Sequence, residues 1–303
     1  MSKSLRQRTS RTEIHSRVTA QIVTQLEQGV RPWIKPWNSS NTAGRITRPL
    51  RHNGQPYNGI NVLMLWSAAE AHGFSAPFWL TFQQALELGG HVRKGERGSP
   101  VIYAATFTKP GQTPDGGETP QEISFLKEYT VFNAEQCCGL PHHFQAQAAP
   151  PVDHIRRIEH AEAFFRHTGA DIRIGGNQAF YALVSDHIQM PPLETFRDSE
   201  AHAATLGHEM THWTRSPTRL QRNFYRQRWG DAGYAMEELV AELGSAFLCA
   251  DLAITPEVRD DHASYIDSWL QVLKNDQQAV FSAASHASKA VEYLHALQPQ
   301  AET

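Results

Sequence analysis

The chain has 303 residues, 40% of them hydrophobic, which is enough for ordinary packed cores and, on size alone, for two domains. No run approaches the roughly 18 apolar residues of a membrane span, and no apolar stretch follows the basic start Met1–Arg8, so neither a spanning helix nor a secretory signal is expected. The net charge of −3 hides an asymmetry: residues 1–150 hold 15 Lys/Arg against 10 Asp/Glu, a net +5, and residues 151–303 hold 13 against 21, a net −8. A basic front half points to a polyanionic partner, nucleic acid being the usual one; the plainer alternative is a solvated basic arm. Cys137, Cys138 and Cys249 are too few for a disulfide framework and fit a reducing cytoplasm.

In chain order, Thr12 to Gln28 reads as an amphipathic helix, with Ile14, Val18, Ile22 and Leu26 at four-residue steps and Gly29 as its stop. Val30-Arg31-Pro32-Trp33-Ile34-Lys35-Pro36-Trp37 cannot be helical. Its prolines hold an extended path on which Trp33 and Trp37 can stack on bases while the cations meet phosphates, although core anchoring is the common use of Trp. Residues 38–59 form a loop or ribbon bearing Arg45, Arg48 and Arg51, with Asn53-Gly54 as a hairpin turn. A helix from Val62 to His72 follows, with Asn61 as its cap. Phe78 to Thr81 is a strand, Thr81 caps a helix from Phe82 to Leu88, and the basic turn His91–Gly98 precedes a strand Pro100–Thr108. Residues 109–122 form a hairpin loop, and Phe125 to Phe132 pairs back, which makes a small α+β domain.

Residues 139–152 have the composition of a linker, so the expected division is 1–138, a linker at 139–152, and 153–303. Beyond it come a helix from Ile155 to His167 and short strands at 171–174 and 179–184. The latter, bearing Tyr181, is a candidate edge strand beside the next helix. That helix carries His208-Glu209-Met210-Thr211-His212. Residues four apart share a helical face, so His208 and His212 aim two imidazoles at one point, while Glu209 lies on the flank as a general base toward water. Asp198 or Ser199 starts the helix, and Pro217, beyond the motif, stops it. The plainer reading is an amphipathic helix with two ordinary histidines.

A third ligand is sought on the apolar helix that includes Tyr234–Leu248. Acids on so apolar a helix need a partner or a metal. Glu238 is read as the ligand, Glu242, four residues on, as the carboxylate that holds an imidazole from behind, and Glu237 as a solvated flank residue. Two histidines and a glutamate suit zinc, with manganese or cobalt as alternatives. The Arg-rich stretch 214–233 is a loop joining the two helices, and His262–Lys274 and Asp276–Leu297 complete a mostly helical domain.

The pair of helices resembles zinc metallopeptidases with a glutamate third ligand. Gly-Val-Arg-Pro-Trp-Ile-Lys-Pro-Trp at 29–37, Tyr-Asn-Gly-Ile-Asn at 57–61, Val-Arg-Lys-Gly-Glu-Arg-Gly at 92–98 and Val-Phe-Asn-Ala-Glu-Gln at 131–136 resemble the N-terminal domain of the ArdC antirestriction family, a single-stranded DNA-binding module shared with TraC-type plasmid primases. His-Glu-Met-Thr-His-Trp at 208–213 and Glu-Glu-Leu-Val-Ala-Glu-Leu at 237–243 are similar to the same family's metallopeptidase-like domain. The resemblance implies an antirestriction protein of mobile DNA that coats incoming strands, with host restriction subunits as a further partner class. Stacking is then expected from Trp33, Trp37 and Tyr57, and phosphate contacts from Lys35, Arg48, Arg51, Lys94 and Arg97. An active peptidase with another target, or a purely structural metal, are the competing readings.

Overall fold

The computed structural model describes residues 11–33, 47–112, 118–144, 154–225, 231–255 and 262–299. The four-residue spacing of Ile14, Val18, Ile22 and Leu26 produces helix α1 (Arg11–Glu27), with all four buried, and Gly29 leaves it at a positive φ of 74°. The chain then makes a tight turn at Arg51–Gln55, whose ends pair as Arg51 N–H to Gln55 C=O at 2.8 Å, and enters α2 (Ile60–His72). Asn61 does not cap that helix. It lies inside the first turn and uses its whole amide on a strand edge, accepting from the Ile102 N–H at 2.7 Å and donating to the Ile102 C=O at 2.8 Å.

The front half holds a four-stranded sheet in the order β1-β2-β5-β4. Strand β1 (Leu50–Arg51) runs parallel to β2 (Phe78–Leu80), and β5 (Glu118–Asn133) runs antiparallel to both β2 and β4 (Ser99–Gln112). Between β2 and β4 lie α3 (Phe82–Glu87), started by Thr81 through a reciprocal pair with Gln84, and β3 (His91–Val92), which pairs with β6 (Cys137–Cys138). The hairpin β4–β5 is longer than its alternating pattern announced. Of the expected connecting stretch, Phe144 is buried beside Leu80 and Ala134, and residues 145–152 fall outside the described segments.

The second half opens with α4 (His154–His167) and a three-stranded sheet in the order β7-β9-β8. Strands β7 (Asp171–Ile174) and β8 (Phe180–Ala182) were expected. The central strand β9 (His187–Met190) was not, because its four residues come after a turn with no run of β-formers. Helix α5 (Ser199–Trp213) is capped by the Asp198 side chain on the Ala201 N–H at 2.8 Å, and α6 (Ala232–Leu252) by Asp231 on Tyr234 at 2.8 Å. Helices α7 (His262–Asn275) and α8 (Ala279–Ala296) close the fold.

One hydrophobic core runs through both halves, from Ile14 to Leu294. Helix α1 lies against the α7–α8 corner: Thr19 donates to the Gln277 C=O at 2.7 Å and His15 meets Phe281 edge-on at 4.5 Å. Helix α2 meets α8 through Gly59 N–H to Ser288 at 2.8 Å, and Trp66 packs edge-on against Phe247 of α6. Helices α5 and α6 approach closely at Gly244, where a Cβ would stand 2.5 Å from both γ atoms of the fully buried Thr211. Gly244→Ala is expected to destabilise the protein by about 1–3 kcal/mol through overpacking. Adding Thr211→Ala should restore most of the loss in a thermal melt, because Thr211 supplies the clashing atoms.

Candidate metal centre

Helices α5 and α6 bring their polar residues together inside an otherwise apolar contact. His208 and His212, one turn apart on α5, have ring centroids 4.9 Å apart. Glu238 of α6 faces both: its Oε2 lies 3.5 Å from His208 Nε2 and its Oε1 lies 3.5 Å from His212 Nε2. One donor atom from each of the three falls within 4.8 Å of the others, and all three residues are buried. Two donors at roughly 2.1 Å from a tetrahedral cation stand roughly 3.4 Å apart, close to the 3.5 Å between Glu238 and each imidazole. Glu209, next to His208 on α5, is also buried.

The surrounding charges set the protonation of these groups. Burial opposes a charge on His212, but Glu238 and Glu237 outweigh it and raise its pKa to about 10. Burial would likewise raise the Glu238 carboxyl, yet the two imidazoles hold it well below the usual carboxylate range. Burial, then the nearby Glu238 charge, push the Tyr234 hydroxyl up; it hydrogen-bonds Tyr265 at 2.8 Å. The site is a buried concentration of carboxylate that calls for positive charge.

The supporting residues differ from expectation in one respect. Glu237 is no solvated flank residue: it is buried, and its Oε1 lies 3.0 Å from His212 Nδ1. Arg222 grips it with two hydrogen bonds of 2.8 Å and also donates to the Thr211 C=O and Thr214 hydroxyl. Burial would raise the Glu237 carboxyl, but Arg222, then His212, bring it down to about 2. Glu242 stands behind the other imidazole, 3.9 Å from His208 Nδ1, at ion-pair rather than hydrogen-bond distance. The inter-helix loop is therefore a brace as well as a connection. Arg219 adds to it by stacking on Trp213, donating to the Trp213 C=O at 2.7 Å and pairing with Asp186, which also accepts from Tyr181. Nothing in the spacing of five arginines singles out Arg219 and Arg222; the signal lies in the acids that need them.

The residues expected on DNA divide differently. Trp33 is 0% exposed: its ring meets Trp269 edge-on at 6.2 Å and its Nε1 donates to Glu242 at 3.2 Å, so it supports the centre and presents no face to a base. Arg48 is buried against Asp251 at 3.1 Å and over the Phe247 ring, out of reach of a phosphate. Tyr57 is buried as well, with the exposed Arg51 over its ring. Lys94 and Arg97 are exposed in the turn before β4, while Lys35 and Trp37 lie outside the described residues.

Two family models match the chain, the N-terminal domain of anti-restriction factor ArdC over residues 12–132 and a zincin-like metallopeptidase over residues 159–286. Crystal structures of the antirestriction ArdC protein from R388 plasmid, metal-free and Mn(II)-bound, superpose with TM-scores of 0.78 and 0.76 at 41% and 40% identity, covering 94% of this chain and 97% of each. The chain belongs to the ArdC antirestriction family. The uncharacterized protein y4eC of Sinorhizobium fredii (strain NBRC 101917 / NGR234) is 41% identical over 96% of this chain and 94% of its own length. Two DNA primases TraC of Escherichia coli are 33% identical over 94% of the chain, which spans 27% and 20% of those longer proteins. The likeness to the primases thus extends beyond the N-terminal module into the metallopeptidase-like half. Among the described residues no helix is long and apolar enough to cross a membrane.

Loss of the Glu237 carboxylate is expected to loosen His212 without removing a ligand. Glu237→Gln should weaken divalent-metal affinity by roughly 10–100-fold in a competition titration. Arg222→Ala should instead lower stability by roughly 3–5 kcal/mol, because it leaves a buried carboxylate uncompensated.

Proposed function

We propose that this protein is an antirestriction factor of mobile, plasmid-borne DNA. Acting in the cytoplasm during conjugation, it binds single-stranded DNA through residues 1–138 and uses a metal-dependent hydrolytic centre in residues 153–303 to protect incoming DNA from host restriction. The observation that carries this reading is the convergence of His208, His212 and Glu238 at metal-ligand separations, beside Glu209, in a member of the ArdC family.

His208, His212 and Glu238 would hold the cation, and zinc and manganese both suit this donor set. When bound, such a cation supplies Lewis acidity toward a carbonyl oxygen and makes water more acidic. Glu209 takes the proton of the attacking water and returns it to the leaving amine. Glu237, held by Arg222, fixes His212 through Nδ1 and leaves Nε2 to the centre. Strand β8 is an edge strand packed beside α5, the position from which an extended peptide adds to a sheet and is carried past the centre. A subunit of the host restriction machinery is the substrate class that joins the two halves of this reading.

The deciding comparison is wild type against Glu209→Gln in protecting transferred DNA from restriction, with metal content and single-stranded DNA binding measured in both. Protection should fall to the level without the protein while metal and DNA are still bound. Full protection by the metal-loaded variant would reduce the centre to a structural cation and leave DNA binding as the protective activity.

A further inference from the structure

Trp33 and Tyr57 are buried and Trp37 lies outside the described residues, whereas the β4–β5 hairpin presents rings to solvent. Its two faces are unlike. One is covered: Ile102 is buried, Leu126 packs on the core, Asn61 satisfies the Ile102 backbone and Glu128 pairs with Arg17. On the other, Val101 is buried at the end next to the core, and outward of it register places Tyr103 opposite Lys127 and Ala105 opposite Phe125, with Tyr129 opposite Val101. Tyr103 meets Phe125 at 6.4 Å and Tyr129 at 6.2 Å, and the Lys127 ammonium sits 4.6 Å over the Tyr129 ring. Tyr103 is 54% exposed and Tyr129 is 39% exposed.

Cross-strand aromatic pairs do stabilise hairpins, by roughly 0.2–1 kcal/mol. That role does not require them to stand in water, where their apolar area is unfavourable. Two exposed rings, Tyr103 and Tyr129, with the half-buried Phe125 beside them, one cation in Lys127 and no acid among these residues match the chemistry of a single strand, whose bases offer π faces and whose backbone is anionic. A protein partner is less well matched, since lysine is depleted in protein interfaces, whereas the net +5 of residues 1–150 favours a polyanion. We infer that the outward face of the β4–β5 hairpin, centred on Tyr103, Tyr129 and Lys127, is the surface on which single-stranded DNA bases stack. This inference rests on the single-stranded DNA reading above.

The test uses the full chain and a fluorescent oligo-dT, followed by anisotropy. Each base stack is worth on the order of 1–3 kcal/mol, so Tyr103→Ala/Tyr129→Ala should weaken binding by roughly 30-fold or more. Tyr103→Phe/Tyr129→Phe should stay within about threefold, because the rings remain; the melting temperature should fall by no more than a few degrees in the alanine variant and hardly move in the phenylalanine one. Unchanged affinity in the alanine variant, with wild type binding normally, would overturn the stacking surface and leave DNA binding itself standing. A phenylalanine variant as weak as the alanine one would overturn stacking in favour of a hydroxyl contact. No binding of oligo-dT by wild type would remove the single-strand reading, and this inference with it. Alanine variants that keep their affinity but lose a dimer in light scattering would assign the face to a second copy of the chain.

Discussion

Three carboxylates within six residues of one buried helix are the constraint on which the structure depends. Glu237, Glu238 and Glu242 lie on α6 inside a nearly apolar contact, and a carboxylate taken out of water costs several kcal/mol unless it is paired. Each draws a different part of the chain toward it. Glu238 faces the two histidines of α5, Glu237 pulls the inter-helix loop inward through Arg222, and Glu242 receives Trp33 from the segment after α1. The buried acids thus define the donor cluster and anchor the two segments that run past it.

This arrangement explains why the convergence of His208, His212 and Glu238 was legible in the chain while the Arg222–Glu237 brace was not. His208, Glu209 and His212 follow from helical spacing alone, and Glu238 from the cost of an acid on an apolar helix. Glu237 and Glu238 are adjacent and of one type, so nothing local says which is braced by an arginine 15 residues earlier. The helices α1, α3, α7 and α8 were legible from periodicity, capping and breakers, with ends within a residue except the start of α8, expected at Asp276 and found at Ala279. Strand β9 was hidden because its pairing is wholly tertiary: it lies between β7, to which it is parallel, and β8, to which it is antiparallel.

Of the front-half residues expected on DNA, Trp33, Arg48 and Tyr57 are buried, whereas Arg51, Lys94 and Arg97 stand exposed. Proline-flanked tryptophans look like a recognition segment, but Trp33 has an N–H that a buried acid can use, and burial of its ring stabilises the core. Arg48 is similar, since its charge is spent on Asp251. In a strand, by contrast, alternation alone tells which rings share a face, and only the neighbouring helices decide which face is covered. Tyr103 and Tyr129 become notable once α1 and α2 are known to lie on the other side.

The continuous core has a consequence for how such a protein is inherited. Two family models divide the chain, but α1 leans on α7 and α8, α2 on α8, and Trp33 on Trp269. A break in the stretch joining the halves would leave each with a raw apolar wall, so neither is a module that recombination can trade alone. The TraC primases fit this picture: the match to them runs through 94% of the chain, both halves in one block, within a much longer polypeptide.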